Sequence, residues 1–225
     1  NKSVGFIQLG LLGKWYALSF VSGRLFTDVV DSRRGEWHTW PEEGLLSEST
    51  MDKLIGWYAD AFNSTKMQLR YPRSSAYRAG FGLHDDSFGH TTLDGPYNGG
   101  VKQSWYFWPK VQSAGQSDFW QNGPMGGETF PGLQSSIFQP GYPAGTNEHQ
   151  DFEDCVDITH ATYMVHHNAF ENNGYSGDEL SNALAAHLHM GYQFRVTAVA
   201  VASTSPGLVL IDVTIEQTGV APFYY

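Results

Sequence analysis

The spacing of apolar residues changes repeatedly along the chain between the pattern of a buried strand and that of an amphipathic helix. Residues 4–12 are an almost continuous apolar run, which is typical of a strand buried on both faces. In residues 47–63, apolar side chains recur at three- and four-residue steps and predict a helix with one buried stripe. The same reasoning predicts strands at residues 66–71, 79–83, 123–128 and 160–166, and helices at residues 151–157 and 178–190.

The order of these elements predicts an α/β fold. Strands that alternate with helices imply parallel strands joined by right-handed crossovers. Four to five such units are about half of an eight-unit barrel. We therefore expect residues 1–191 to form the C-terminal half of a TIM-type (β/α)8 barrel, with an ordered loop at 131–148 and a helix or covering loop at 105–111. In the last helix we expect Leu180, Ala183, Leu184 and Leu188 to face inward, with Gly191 as its end.

Residues 192–225 change to a period of two. Tyr192, Phe194 and Val196 alternate with polar residues, and a second alternating run covers residues 209–215. A turn-like Ser-Thr-Ser-Pro-Gly stretch at residues 203–207 lies between the two runs. Two such strands joined by a turn predict a β-hairpin. We expect it to be the first strands of a β-sandwich domain, with an edge that lacks its pairing partner.

The amino-acid composition argues against some classes of binding partner. The chain has 225 residues and a formal net charge of −10, and this acidic balance argues against nucleic acid, because phosphate binding needs clustered Lys and Arg. No apolar run approaches the length of a membrane span, so no membrane partner is expected. The single cysteine, Cys155, excludes an internal disulfide and is expected to be a small buried hydrophobe. The sequence predicts no cofactor.

Two glutamates stand at predicted strand ends beside glycines and aromatic residues. Glu128 follows Gly126-Gly127, and Glu36 lies in the sequence Gly-Glu-Trp-His-Thr-Trp at residues 35–40. Glycines let a backbone approach a ligand closely, and a pair of carboxylates is what glycoside hydrolysis requires. We therefore take Glu36 and Glu128 as the candidate catalytic residues. Each has an alternative as a structural carboxylate, and for Glu128 this would be an ion pair with Arg70.

Other polar and aromatic residues gather near the same strand ends, where ligands bind in such a fold. Aromatic residues make up 15% of the chain, which suits stacking on sugar rings, although many of them are expected to be core. The candidate substrate-binding residues are Trp37, His38, Arg70, His84, Asp85, Asp86, Trp105, Trp108, His166 and Asn168.

Several of these candidate residues have an alternative interpretation. Arg70 either holds Glu128 ionised through a bidentate hydrogen bond or is an ordinary structural arginine. Because neighbours on a strand alternate, one of His166 and His167 is expected to face the site and the other to pack outside. His84, Asp85 and Asp86 could also hold a metal ion together with His160 or His166, but their spacing matches no standard metal motif.

Several motifs together resemble an uncharacterised glycoside-hydrolase-like barrel family, a domain of unknown function of bacteria and fungi. The motifs are Gly-Lys-Trp at 13–15, Gly-Glu-Trp-His-Thr at 35–39, His-Asp-Asp-Ser-Phe at 84–88, Gly-Gly-Glu at 126–128 and Ile-Glu-Gln-Thr-Gly-Val-Ala-Pro at 215–222. The resemblance covers nearly the whole chain. It implies a barrel followed by a small β-sandwich, with this chain as the second half of the barrel and the missing N-terminal half as its partner.

The chain is similar, more loosely, to the large clan of retaining glycosidases. In that clan the acid/base glutamate follows the fourth strand and the nucleophile ends the seventh, which implies Glu36 as acid/base and Glu128 as nucleophile. One departure is Gly35, where the clan usually has asparagine. The expected function is that of a glycoside-hydrolase-like protein that acts on or binds carbohydrate. The alternative is a non-catalytic carbohydrate-binding protein on a degenerate barrel.

Residues 16–34 form an anomalous insertion in this pattern. They show neither a helical nor a strand period, and their removal joins Gly-Lys-Trp directly to Gly-Glu-Trp, as in the resembling family. Trp15-Tyr16 must be encoded TGG-TAY, which contains the GTAY that starts many fungal introns, and Arg33-Arg34 can end in AG. The segment is either a retained intron or a genuine loop insertion. A cDNA read through this point decides between the two.

Overall fold

A computed structural model of the protein describes residues 6–8, 29–31, 36–38, 48–94, 104–146, 149–167 and 174–224, the first three ranges by their backbone only. The helices are Glu48–Ala61 (α1), Ser74–Arg78 (α2), Phe107–Ser113 (α3), Phe152–Thr159 (α4) and Gly177–Met190 (α5). The strands are Phe6–Gln8 (β1), Val29–Asp31 (β2), Glu36–His38 (β3), Lys66–Leu69 (β4), Gly82–Phe88 (β5), Met125–Thr129 (β6), Ala161–Val165 (β7), Phe194–Ser205 (β8) and Leu208–Gln217 (β9).

A parallel sheet with the strand order β1-β4-β5-β6-β7 forms the centre of the fold. From β4 onward each strand pairs with the next one in the chain, as strand–helix units with crossovers on one side require. The mixed α/β class predicted from the sequence is therefore confirmed. The closed barrel, of which this sheet would be a part, stays a proposal.

One apolar cluster joins this sheet to its helices. It includes Ile55 from α1 and Val156 from α4, both at spacings that place them on the buried stripe of an amphipathic helix. Asp151 caps α4, because its side chain accepts hydrogen bonds from the backbone N–H groups of Glu153 and Asp154. Buried strand residues of the same cluster are Met67, Leu69, Leu83, Phe88, Met125 and Ala161.

Helix α5 packs through a different stripe from the expected one. Ala183 is buried as predicted, but Leu184 and Leu188 are 57% and 63% exposed. Ala186 and Met190 are buried in their place. Two stripes that run side by side on one helix are compatible with the same spacing, and the alanine stripe allows the helix to approach its neighbours more closely. Leu180, also expected inside, is exposed as well.

Strand β5 extends further than predicted. The sequence pattern ended this strand at residue 83, whereas the structure continues it through Phe88. The His-Asp-Asp-Ser-Phe motif therefore lies within the strand, where pairing with β6 holds it, and the register shifts between Asp85 and Phe88. The other predicted strands and helices of the sheet lie within a few residues of the observed ones.

Residues 194–217 form the predicted hairpin, with β8 and β9 antiparallel. The pairing sorts side chains by polarity: Val199 faces Val213 and Val201 faces Ile211 on one side, whereas the pair Arg195–Glu216 belongs to the other. These aliphatic side chains are exposed, so no described residue covers this side of the hairpin. The β-sandwich that would cover it stays a proposal.

Strand β3 lies apart from the parallel sheet. Its backbone pairs antiparallel with β2, so that Glu36 stands opposite Asp31 and His38 opposite Val29. Glu36 was expected at the C-terminal end of a parallel strand, but it begins a strand of a separate two-stranded sheet. The end of the insertion 16–34 supplies the pairing partner, and this changes the course of the chain on which the expectation rested.

Candidate functional site

The sheet has one face on which polar side chains from consecutive strands meet. Alternation along each strand places them on this face, opposite the helices α4 and α5. We call it the polar face; its members are Gln68, Arg70, His84, Asp86, Glu128, Tyr163 and His167. Residue side chains near the carboxyl ends of parallel strands lie where ligands bind in this type of fold.

A hydrogen-bonded chain crosses the middle of the polar face. The Tyr163 hydroxyl lies 2.7 Å from Oε1 of Gln68 and 3.0 Å from Nδ1 of His84. Tyr163 belongs to β7 and must pass over β6 to reach these partners. It can do so because residue 126 is glycine: a Cβ at this position would collide with the tyrosine ring.

Two pairs of ionisable side chains lie one step closer to the strand ends. Arg70, just after β4, forms an ion pair with Asp86 of β5. Glu128 of β6 has its Oε1 2.6 Å from Nε2 of His167. Gly127, the residue before Glu128, lets β6 approach β5, because a Cβ there would meet the carbonyl oxygen of Asp85. The glycines predicted to allow a close approach thus bring backbone and side chains of the chain itself together.

Burial sets the protonation states in the middle of the face. Desolvation, and then the nearby charge of Arg70, lower the pKa of His84 to about 4. Desolvation raises the pKa of Tyr163 to about 12, against the opposing effect of its hydrogen bond to Gln68. Both side chains are therefore neutral at neutral pH. The charged groups of the polar face therefore lie near the carboxyl ends of the strands, where Arg70 pairs with Asp86 and where Glu128 is placed.

Arg70 does not contact the candidate nucleophile. Its described ion pair is with Asp86, and its guanidinium carbon lies 5.2 Å from the ring centre of Tyr71. Nζ of Lys110 lies 4.7 Å from the centre of the same ring. Both suggested partnerships of Arg70 with Glu128 therefore differ from the observed geometry, in which the neighbouring strand supplies the carboxylate.

Asp85 lies on the opposite side of β5 from Asp86. It is buried, its Oδ1 accepts a hydrogen bond from the backbone N–H of Ser87, and its Oδ2 accepts one from the Thr92 hydroxyl. Desolvation raises its pKa. Gly89 in turn donates its N–H to the Thr92 hydroxyl. Asp85 was predicted to bind substrate, but its hydrogen bonds hold the turn that follows β5.

The two histidines after β7 face opposite sides, as strand alternation predicts. The one beside Glu128 is His167, whereas His166, chosen from the sequence as a substrate ligand, is buried under the helices. Its ring packs on Phe152 and lies 4.9 Å from the ring centre of His187. Neither ring nitrogen of His166 has a hydrogen-bond partner. Burial, and then His187, lower its pKa to about 3.

The two described candidate tryptophans differ in their surroundings. Trp105 is exposed and packs edge-on against Tyr106, whereas Trp108 packs against the apolar cluster. His90 stacks on Phe130, which follows β6, at a centroid distance of 4.1 Å. The sequence analysis did not single out this stacked pair. The nearest signal for it is the position of Phe130 two residues after Glu128.

Sequence reasoning also missed Gln68 and Tyr163 as members of the face. Counting back two residues from Arg70 would have found Gln68, because side chains two apart share a face of a strand. The side chains of Glu36, Trp37 and His38, and all of Asn168, lie outside the described residues. Their predicted roles stay predictions.

A metal site is not assembled from the candidates that the sequence offered. Within the described ranges, no three His, Cys, Asp or Glu side chains are grouped so that they could hold a metal ion. The ring of His160 stacks on the ring of Trp120, with 3.6 Å between the ring centres, and does not approach His84 or Asp86. Among the described residues, the polar face is thus an arrangement of hydrogen-bonding and paired charged groups.

No protein-family model, curated protein or solved structure matches the chain. None of the helices in the described ranges has the length and apolar character needed to cross a membrane. The family resemblance noted in the sequence therefore stays an expectation.

Proposed function

We propose that the chain is part of a glycoside-hydrolase-like barrel protein that acts on carbohydrate. The observation that carries the proposal is the place of Glu128, at the carboxyl end of a parallel strand and on the polar face. Ligands of parallel α/β folds bind at this end of the sheet. The family resemblance of the Gly-Gly-Glu motif supports the same position.

The proposed reaction retains the configuration of the sugar. Glu36, as acid, would protonate the leaving oxygen while Glu128 attacks the anomeric carbon and forms a covalent glycosyl intermediate. Water would then attack that carbon, giving its proton to Glu36 and releasing Glu128. This reaction requires the two carboxyl groups to lie about 5–5.5 Å apart, whereas about 6.5–9.5 Å would favour inversion.

His167 supports Glu128 in this role. Its Nε2 lies within hydrogen-bonding distance of Glu128 Oε1, and this contact orients the carboxylate. The other oxygen of the carboxylate is left for the anomeric carbon. His84 and Asp86 would bind sugar hydroxyls, and the exposed ring of Trp105 would stack on a sugar ring.

A non-catalytic carbohydrate-binding protein is the second candidate. A specific observation favours it: Asp86 pairs with Arg70 and Glu128 pairs with His167, so each of these carboxylates already has a cationic or polar partner. The backbone of Glu36 also belongs to a separate sheet. A cleft of this kind would bind a sugar without a usable pair of carboxylates.

An assay of the full-length protein, with and without residues 16–34, tests both candidates. A panel of aryl glycosides serves as substrate, and Glu128→Gln and Glu36→Gln are compared with Glu153→Gln, an exposed residue of α4. For a hydrolase we expect turnover that falls by several orders of magnitude in Glu128→Gln and is unchanged in Glu153→Gln.

The other outcomes separate the two functions. Sugar binding without turnover, equal in wild type and Glu128→Gln, would favour the binding protein. The absence of both turnover and binding across the panel would overturn both proposals.

A further inference from the structure

The proton positions in the middle of the polar face follow from the partners of Gln68. Its Nε2 lies 3.0 Å from the carbonyl oxygen of Leu83 and 3.0 Å from that of Pro124. Carbonyl oxygens only accept hydrogen bonds, so the atom facing both must be the NH2 group. The orientation of the amide is thereby fixed, and its oxygen, Oε1, faces the Tyr163 hydroxyl.

The hydrogen of the Tyr163 hydroxyl in turn determines which nitrogen of His84 is protonated. The tyrosine hydroxyl has one hydrogen, which it donates to Oε1 of Gln68. Its oxygen can then only accept a hydrogen bond from the imidazole 3.0 Å away. Nδ1 of His84 must therefore carry the hydrogen, and in the neutral ring Nε2 must carry a lone pair.

The Nε2 atom of His84 is left without a partner by this chain of hydrogen bonds. It makes no hydrogen bond with any described residue. Unlike the ring nitrogens of His166, this atom keeps some exposure, although the His84 side chain as a whole is only 9% exposed. Arg70 lies close enough to disfavour a second proton on the ring, and the pKa of His84 is lowered accordingly.

We propose that Nε2 of His84 is the ligand-facing hydrogen-bond acceptor of the polar face, preset by the chain Gln68–Tyr163–His84. Its ligand is a hydroxyl group of an uncharged sugar, because a lone pair binds a donor and repels a carboxylate or phosphate oxygen. The neighbouring carboxylate of Asp86 acts in the same direction, and Arg70 is engaged with it. This inference rests on the proposed function and adds the substrate class: neutral sugars, not uronic acids or sugar phosphates, at this position.

Replacement of Tyr163 tests the chain directly. Tyr163→Phe keeps the ring that crosses β6 and removes only the hydroxyl, so His84 Nδ1 loses its acceptor. The imidazole then shifts to the form with hydrogen on Nε2, which presents a donor where the ligand needs an acceptor. We expect about a tenfold loss of affinity for a neutral glycoside, the value of one hydrogen bond.

Nuclear magnetic resonance of the full-length protein with isotope-labelled histidines measures the tautomer of His84 in the absence of a ligand. We expect His84, assigned by His84→Asn, to carry its hydrogen on Nδ1 at pH 7 in wild type and to lose this form in Tyr163→Phe. Tyr175→Phe is the matched control, because that hydroxyl bonds to the Gln134 carbonyl instead. A wild-type His84 with hydrogen on Nε2, or one that is charged at pH 7, would overturn the proposal.

A second arm tests the ligand. The neutral methyl glycoside of a sugar whose aryl glycoside binds in the panel and the matching methyl uronide are each added to the labelled protein. We expect the neutral glycoside alone to shift the Nε2 resonance of His84. An equal or larger shift with the uronide overturns the substrate class. Turnover of glycosides with no shift of Nε2 would overturn the role of His84 while leaving the hydrolase proposal in place.

Discussion

Nε2 of His167 lies 2.6 Å from Oε1 of Glu128, and this contact joins the end of β7 to the end of β6. It places an imidazole beside the carboxylate that the proposed reaction uses as nucleophile. An adjacent hydrogen bond fixes the orientation of a carboxylate, and such bonds to charged groups contribute more than those between neutral groups.

His167→Ala is therefore expected to lower kcat/KM for aryl glycosides by about 10- to 100-fold, as the loss of one hydrogen bond to a charged group predicts. The loss should be smaller than in Glu128→Gln. His189→Ala is the control, since His189 forms a similar 2.6 Å contact with Asp157 on the helices. If His189→Ala lowers activity as much as His167→Ala, the effect is one of stability and not of the site.

Gly126 and Gly127 are expected to be essential for stability. A Cβ at residue 126 meets the ring of Tyr163, and one at residue 127 meets the backbone oxygen of Asp85. We expect each glycine-to-alanine change to lower the free energy of unfolding by about 1–3 kcal/mol, with the larger loss at 127, where a backbone must move. Urea denaturation measures both changes.

Gly56 provides the matched control for these substitutions. A Cβ at this position in α1 has no atom within 4 Å. Gly56→Ala is expected to be neutral or to stabilise the protein by about 0.5–1 kcal/mol, because alanine is the better helix former. Equal destabilisation at all three positions would contradict the steric explanation.

The stability of the fold should fall in mild acid because of His166. Its pKa in the folded protein is lowered to about 3, against about 6.5 for an unperturbed histidine. The unfolded chain therefore binds the extra proton first, so this contribution is complete above about pH 6.5 and is lost as the pH falls toward 3. His187, whose pKa is also lowered by burial, acts in the same direction.

Urea denaturation at pH 7 and at pH 5 measures this effect. His166→Phe, which replaces the ring with one that needs no hydrogen bond among Phe138 and Phe152, should show a smaller loss of stability between the two pH values. Parallel losses in wild type and variant would show that another group is responsible.

The hairpin of β8 and β9 should bind a fluorescent apolar dye through its aliphatic side. Val201 and Ile211 are 66% and 61% exposed on that side. Val201→Asp is expected to reduce dye fluorescence, because it places a charge among these side chains. Ala200→Asp puts the same charge on the opposite side and should leave fluorescence unchanged; an equal reduction would contradict the sorting of side chains by the pairing register.

The elements of the sheet could be predicted from the sequence because their apolar patterns are unambiguous. Helix α1 has one stripe, and Cys155 of α4 is buried as predicted. For α5 the sequence offers two neighbouring stripes, and only the approach of the helix to its neighbours selects Ala186 and Met190 over the leucines. The spacing of apolar residues alone does not determine how closely α5 approaches its neighbours.

The candidate site was predictable as a region but not in its details. The rule that ligands bind at strand ends correctly grouped Arg70, Asp86 and Glu128 on one edge of the sheet. It could not choose between His166 and His167, because the choice depends on a register shift between β6 and β7 near Met125. It also missed Tyr163, because the contacts of its hydroxyl with Gln68 and His84 depend on the space that Gly126 leaves on β6.

The strands β4 to β7 are neighbours both in sequence and in space, and this order has a genetic consequence. All seven side chains of the polar face come from one continuous stretch, residues 68–167. A single continuous segment of the chain therefore supplies all seven side chains of the polar face. Recombination that exchanges this segment between genes would carry the complete cluster with it, whereas a break inside it would separate Glu128 from Arg70 and Asp86.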